Sequence, residues 1–243
     1  MKIKSAPSPN FDDRQLPISC LVLHYTGMET GKAALDRLRD PEAKVSAHYL
    51  VEEDGKVFQL VDEENRAWHA GVSSWQGITD MNSASIGIEI VNGGHDFGLP
   101  DFPLVQIKAV IELSKAILGR HNISAQNVVG HSDIAPGRKQ DPGEKFPWAE
   151  LAASGVGLWP SNISNDERTL FSEGDRDRGI SIAQNGLATI GYGVEVTGIM
   201  DKRTVLVVTE LQRRYRPDKM DGVIDMATLG IINGLVSVLS ISS

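Results

Sequence analysis

The stretch Ile18-Ser19-Cys20-Leu21-Val22-Leu23-His24 constrains this chain more than any other. Cys20 and Val22 would point to one side of a strand, Leu21 and Leu23 to the other. Both sides are apolar, which predicts a central strand covered on both faces. Such a strand needs partners and two covering layers. The sequence offers both. Residues 47–51 and 56–61 flank Asp54-Gly55, the signal of a hairpin. Ser85 to Val91 alternates, with Ile86, Ile88 and Ile90 on one side and Gly87, Glu89 and Val91 on the other. Thr30 to Asp40 has helical spacing and is stopped by Pro41. Pro103 to His121 reads as the longest helix, with Leu104, Ile107, Ile111, Leu113 or Ser114, and Leu118 recurring every three or four residues. Residues 127–131 read as a short strand ending in His131, and 132–143, with two Pro and two Gly, as loop.

Four segments follow from this pattern: a lead-in at 1–16, a strand-and-helix unit at 17–153, a polar Gly/Ser/Asn linker at 154–177, and a small module at 178–243. The module holds three helical patterns, separated by Gly191-Tyr192-Gly193 and Asp221-Gly222. A chain of 243 residues can bury cores for both units. Its formal net charge of −8 argues against binding nucleic acid through phosphates. No apolar run reaches the roughly 20 residues of a membrane span. Lys2 and Lys4 are not followed by the apolar region of a signal peptide, so a cytoplasmic protein with a flexible Pro/Ser lead-in is expected. A chain trimmed of its signal, and so periplasmic or envelope-attached, would read the same. Two glycosylation sequons, at Asn122 and Asn162, carry little weight without a secretory signal. The lone Cys20 excludes an internal disulfide and any multi-cysteine metal site. It reads as an inert buried thiol.

Any metal would then fall to His and carboxylate. Of six histidines, His24 and His131 end apolar strands, where sites in α/β sheets gather. Asp141 lies in the loop after His131. Two imidazoles and one carboxylate form a known catalytic zinc set that leaves a fourth position open. The same spacing also suits histidines that only hydrogen-bond at a core edge. Glu89, on a small and apolar strand face, would be desolvated and raised in pKa, suited to general acid–base work. The alternative is an edge carboxylate facing water. Lys139 could stabilise an oxyanion, or be a solvated loop lysine paired with Asp141. His48 and His69 read as satisfied core or pocket-wall residues, with His48 open to trial as a fourth ligand of a closed structural site.

In order along the chain stand His24-Tyr25-Thr26, Ser46-Ala47-His48-Tyr49-Leu50-Val51, Arg66-Ala67-Trp68-His69-Ala70-Gly71, Ser85-Ile86-Gly87-Ile88-Glu89 and residues 130–143, Gly-His-Ser-Asp-Ile-Ala-Pro-Gly-Arg-Lys-Gln-Asp-Pro-Gly. From about Ser19 to Leu151 the chain resembles the zinc-dependent N-acetylmuramoyl-L-alanine amidases of the AmpD/AmiD type, related to peptidoglycan recognition proteins. The resemblance implies a mixed central β-sheet flanked by helices. It implies that His24, His131 and Asp141 bind Zn2+ and that Glu89 and Lys139 carry catalysis. Related phage and recognition-protein amidases have a tyrosine where Ala47 stands, and its absence here implies that the acid–base function falls to Glu89. Arg66, Trp68, His69 and Trp75 are candidates for the substrate wall. Gly198-Ile199-Met200-Asp201, Leu211-Gln212 and residues 221–228 resemble a three-helix peptidoglycan-binding domain, with Leu211 where an aromatic is common. The implied reaction cuts the bond between N-acetylmuramic acid, or its 1,6-anhydro form, and L-alanine. The implied partners are anhydro-muropeptides or peptidoglycan. A peptidoglycan-binding protein without catalysis is the alternative.

Overall fold

The computed structural model describes residues 2–160 and 164–242. Asn162 and Ile163 of the second sequon lie outside the described residues. The chain forms β1 (Ile3–Ser5), β2 (Phe11–Asp13), β3 (Cys20–Tyr25), α1 (Gly31–Arg39), β4 (Tyr49–Val51), β5 (Val57–Gln59), β6 (Asn65–Ala67), α2 (Met81–Ala84), β7 (Ser85–Ile90), α3 (Leu104–His121), β8 (Val128–Gly130), α4 (His131–Ile134) and α5 (Trp148–Ala153). The C-terminal part adds β9 (Thr169–Phe171), α6 (Arg178–Ile190), α7 (Lys202–Tyr215), β10 (Ile224–Asp225) and α8 (Met226–Ser242).

The main sheet runs β1-β5-β4-β7-β3-β8 and is mixed. β3 lies parallel between β7 and β8, β7 is parallel to β4, and β4 and β5 form the antiparallel hairpin around Asp54-Gly55. The expected central strand is therefore central, and Leu21, Val22 and Leu23 are fully buried. Leu21, Leu23, Ile86, Ile88 and Val128 form one face and pack with Ile107, Val110, Leu113 and Ile117 of α3. Cys20, Val22 and Val129 face the other way, into a core shared with Trp75, Ile134 and the C-terminal helices. Helix starts follow local chemistry: Thr30 caps α1 at Ala33 N, and Asp201 caps α7 at Thr204 N. Asn122 ends α3 in the left-handed region, with φ +52°.

Four expectations change. The lead-in is ordered: β1 pairs parallel with β5, β2 pairs with β6, and the buried Asn10 amide donates to Asp40 O and Val45 O. Three-residue strands carry too short a pattern to be read from sequence. The buried stripe of α3 is Gln106, Ile107, Val110, Leu113, Ser114 and Ile117, while Leu104 is 69% exposed. Gln106 takes an inward place because its amide donates to Val51 O and Val91 O at the end of the sheet. His131 is not the last residue of a strand but the first of α4, since Asp133 turns back to accept from Gly130 N (2.8 Å). Thr169–Phe171, within the stretch read as linker, pairs with β10.

Candidate metal centre and catalytic pocket

β3 delivers His24, and the turn that follows β8 delivers His131 and Asp141. Their Nδ1, Nδ1 and Oδ2 atoms form a triangle with edges of 3.0 Å (His24 to His131), 2.9 Å (His24 to Asp141) and 3.0 Å (His131 to Asp141). All three side chains are buried. The backbone ties the loop across itself, with Ser132 N donating to Asp141 O (2.9 Å).

The outer nitrogens fix the tautomers. His131 Nε2 lies 2.9 Å from Ala70 O, a carbonyl that can only accept, so Nε2 carries the proton. His24 Nε2 lies 3.0 Å from His69 Nδ1, His69 Nε2 lies 3.4 Å from Ser85 Oγ, and Ser85 donates to Met81 O. That chain ends in a carbonyl, so every proton in it points away from His24 Nδ1. Two imidazole lone pairs and a carboxylate oxygen thus converge on one point. In a tetrahedral zinc site with bonds of about 2.0–2.1 Å, ligand atoms stand roughly 3.3 Å apart. The triangle fits a divalent ion, and the pocket leaves its fourth side open. Among the described residues, these three form the group that could hold a metal.

Electrostatics agree. Burial, then the neighbouring His131, pushes His24 down to about 4, which keeps it neutral. Burial opposes ionisation of Asp141, but its close pairing with the His131 and His24 rings outweighs burial and holds the carboxyl below its ordinary range.

A pocket of about 530 Å³ opens above the triangle, lined by His24, Trp68, Glu89, His131, Lys139 and Asp141 among others. Glu89 pairs in register with His24 across β7 and β3, so both project from the same face. Its Oε2 is buried and has no hydrogen-bond partner among the described residues. Burial raises the Glu89 carboxyl well above the usual range; the charge of Asp141 adds to the rise and Lys139 opposes it. Lys139 is exposed at the pocket wall and forms no ion pair among the described residues, so it is not the partner of Asp141.

The other expected residues divide. Trp68 lines the pocket. His69 is buried behind His24 with both ring nitrogens engaged, which makes it a holder of the ligand's ring. Arg66 is not in the pocket: its guanidinium is held by Asp12 (3.1 Å) and Asp80 (3.0 Å). Trp75 is also absent from it. Its indole is 2% exposed, stacks edge-on with Tyr192 at 5.1 Å and lies against Gly191. His48 is no fourth ligand: Nδ1 accepts from Gly87 N and Nε2 meets Arg14 and Asn65 O. Cys20 is buried, and burial raises its thiol to about 11.

Sequence reasoning missed how the histidines are held. Residues 69 and 70 receive both imidazoles of the triangle, one on a ring nitrogen and one on a carbonyl. Asn82 Oδ1 fixes that pair of residues by accepting from His69 N (2.9 Å) and Ala70 N (2.7 Å). Gly87 makes room: a Cβ there would lie 2.6 Å from the His69 ring. A glycine two residues before the acid in an otherwise branched strand was the available signal.

Residues 14–144 match the family described as N-acetylmuramoyl-L-alanine amidase, and residues 176–232 match the peptidoglycan binding domain. The chain belongs to the N-acetylmuramoyl-L-alanine amidase family. It is 38% identical over 234 residues to N-acetylmuramoyl-L-alanine amidase AmiD of Escherichia coli (strain K12), covering 90% of this chain and 82% of that protein. It is 38% identical over 170 residues to 1,6-anhydro-N-acetylmuramyl-L-alanine amidase AmpD of Citrobacter freundii, covering 62% of this chain and 88% of that one. The structure of E. coli AmiD in complex with anhydro-N-acetylmuramic acid-L-Ala-D-gamma-Glu-L-Lys superposes with a TM-score of 0.79 at 35% identity, covering 91% of this chain and 89% of the other. AmpDh3 from Pseudomonas aeruginosa, in complex with anhydromuramic pentapeptide, gives 0.75 at 33% identity, with 91% and 92% covered.

Proposed function

We propose that this chain is a zinc hydrolase that cleaves the amide between N-acetylmuramic acid, in its 1,6-anhydro form, and the L-alanine of the stem peptide. The observation that carries the proposal is the convergence of His24 Nδ1, His131 Nδ1 and Asp141 Oδ2 beneath a pocket shared with Glu89 and Lys139. The anhydro-muropeptides bound to the two relatives support the choice of substrate.

His24, His131 and Asp141 would hold the ion. Zinc in such a site acidifies water toward a pKa of about 7 and polarises a carbonyl. Glu89 is placed to take the proton of the attacking water and to return it to the departing L-alanine amine. Its desolvated setting brings its proton affinity closer to that of the groups it serves. The Lys139 ammonium faces the charge that develops on the carbonyl oxygen. Trp68 supplies an apolar wall for sugar or peptide. A catalytic unit that takes in the lead-in strands and runs to about 153, and a module that takes in β9 and binds glycan, belong to the same proposal.

No helix among the described residues is long and apolar enough to cross a membrane. As its compartment we propose the cytoplasm; cell fractionation with immunoblotting checks this, and an envelope pool would reverse it. The activity test is direct. Purified chain loaded with Zn2+ is given an anhydro-muropeptide, and the products are weighed by mass spectrometry. Free stem peptide is expected, lost on chelation and regained on adding Zn2+. Intact substrate in the zinc-loaded sample would point instead to binding without catalysis.

A further inference from the structure

The segment that carries two of the three ligands, residues 130–145, has one short helical turn and otherwise irregular backbone. The sheet does not position it beyond Gly130. Arg138 ties it to Ala70 O and Val72 O and Lys145 ties it to Asp101, and the C-terminal module adds a further set of side-chain anchors. Asp133, two residues after His131, is buried, and every hydrogen bond to its carboxylate is strong. Oδ2 accepts from Gly130 N (2.8 Å) and from Arg214 Nη1 (2.7 Å), and Oδ1 accepts from the Tyr192 hydroxyl (2.6 Å). Arg214 is itself buried, donates to Val128 O (3.1 Å) and stacks 3.9 Å over the Trp148 ring. The adjacent Arg213 donates to Glu144 (2.6 Å), three residues after Asp141, and to Glu210 (2.7 Å). Glu144 continues to His95 Nε2 (3.0 Å), and His95 Nδ1 to the Tyr25 hydroxyl (2.9 Å), both on the pocket rim. Between these points Gly137 abuts α7: a Cβ there would stand 2.8 Å from Leu206.

We propose that α7, together with Tyr192 of the connection after α6, acts as a splint for the metal-ligand segment, with Arg214 and Tyr192 fixing the turn at His131 through Asp133, and Arg213 fixing the loop after Asp141 through Glu144. These are positioning residues, since none of them reaches the triangle. A buried carboxylate with three donors has one low-energy orientation, and that orientation sets the Gly130-to-His131 turn. Loss of a donor frees the turn, and His131 Nδ1 moves relative to the other two ligand atoms. The module is thus a working part of the metal centre and does more than tether the enzyme to a polymer.

This inference rests on the zinc reading above, and the test separates the two. Full-length chain is prepared as wild type, Arg214→Met, Arg213→Gln, Tyr192→Phe and, as control, Lys202→Gln, an exposed position at the start of α7. Each is titrated with Zn2+ against a chelator, and its Co2+-loaded form is read by visible absorption, a spectrum set by ligand geometry. Partners one layer out from a metal commonly change affinity about 10- to 100-fold when removed. Arg214 acts one step further out, through Asp133, so Arg214→Met is expected to weaken Zn2+ affinity by about 10-fold, the low end of that range, shift the cobalt bands and lower kcat with KM little changed; Arg213→Gln and Tyr192→Phe follow with smaller changes in the same direction. Should Arg214→Met fail to fold by circular dichroism, the two milder variants decide. Folded variants with wild-type zinc affinity and cobalt spectra would overturn the splint. A wild type that takes up no Zn2+ or Co2+ would instead overturn the zinc reading.

Discussion

The two faces of the central sheet are built from the same strands and do opposite work. On the α3 side, Leu21, Leu23, Ile86 and Ile88 meet Ile107, Val110, Leu113 and Ile117 in an apolar layer. On the other side, the residues that alternate with these are Cys20, Val22 and His24 on β3, and Ser85, Gly87 and Glu89 on β7. That face begins apolar and ends in an imidazole and an orphaned carboxyl. Stability and chemistry are thus separated by a single step along each strand. The first face holds the strands so firmly that the second can keep an unpaired buried oxygen and three facing ligand atoms.

This separation can be broken from either side. The largest effect on turnover belongs to Glu89. Glu89→Gln should lower kcat by roughly 100- to 10,000-fold while Zn2+ stays bound, as judged by metal analysis of the dialysed variant. Full activity would remove its acid–base role. The same variant sharpens the comparison through pH. A carboxyl raised by folding binds more protons in the native state than in the unfolded chain. Its contribution is therefore fully present below the unfolded value of about 4.3 and is lost as pH rises through the folded value. In metal-free protein, denaturant melts from pH 4 upward should show the wild type losing stability relative to Glu89→Gln. A constant difference between them would show that Glu89 is not desolvated.

On the other face, Leu113→Ala should destabilise the fold by about 2–5 kcal/mol through the cavity it leaves. Denaturant midpoints check this. At a temperature where the variant is still folded, kcat should stay near wild type. A large fall in kcat at full occupancy would mean that the faces are not independent. The smallest effect is expected at Arg66. Its ion pairs are part-exposed, so Arg66→Gln should cost less than about 1 kcal/mol and leave KM unchanged. A raised KM would return Arg66 to the substrate wall.

The legibility of the sequence follows the same division. β3, β7 and the β4–β5 hairpin could be read because period-2 alternation and an Asp-Gly turn are local signals. So could the extent of α3, but not its rotation. The inward turn of Gln106 depends on two carbonyls, Val51 O and Val91 O, that no helical periodicity encodes. In the site, His24, His131, Asp141, Glu89 and Lys139 stood out by their places at strand ends and in one loop, and the structure brings them to one pocket. Trp75 and Arg66 lie outside the pocket of the triangle; aromatic and cationic side chains near a site look alike in sequence whether they face a cavity or a partner. Trp75 had Tyr192 to meet, more than a hundred residues away, and Arg66 had two aspartates. The anchors of the metal loop on α7 belong to tertiary structure in the same way.

Asn82 shows how little matter such control requires. One amide oxygen, on a side chain that neither ligates nor faces the pocket's ligand triangle, accepts two consecutive backbone N–H groups. The ring nitrogen and the carbonyl that follow from those two amides set the aim of both imidazoles. Exchanging that oxygen for a donor would disturb the partners of both imidazoles at once.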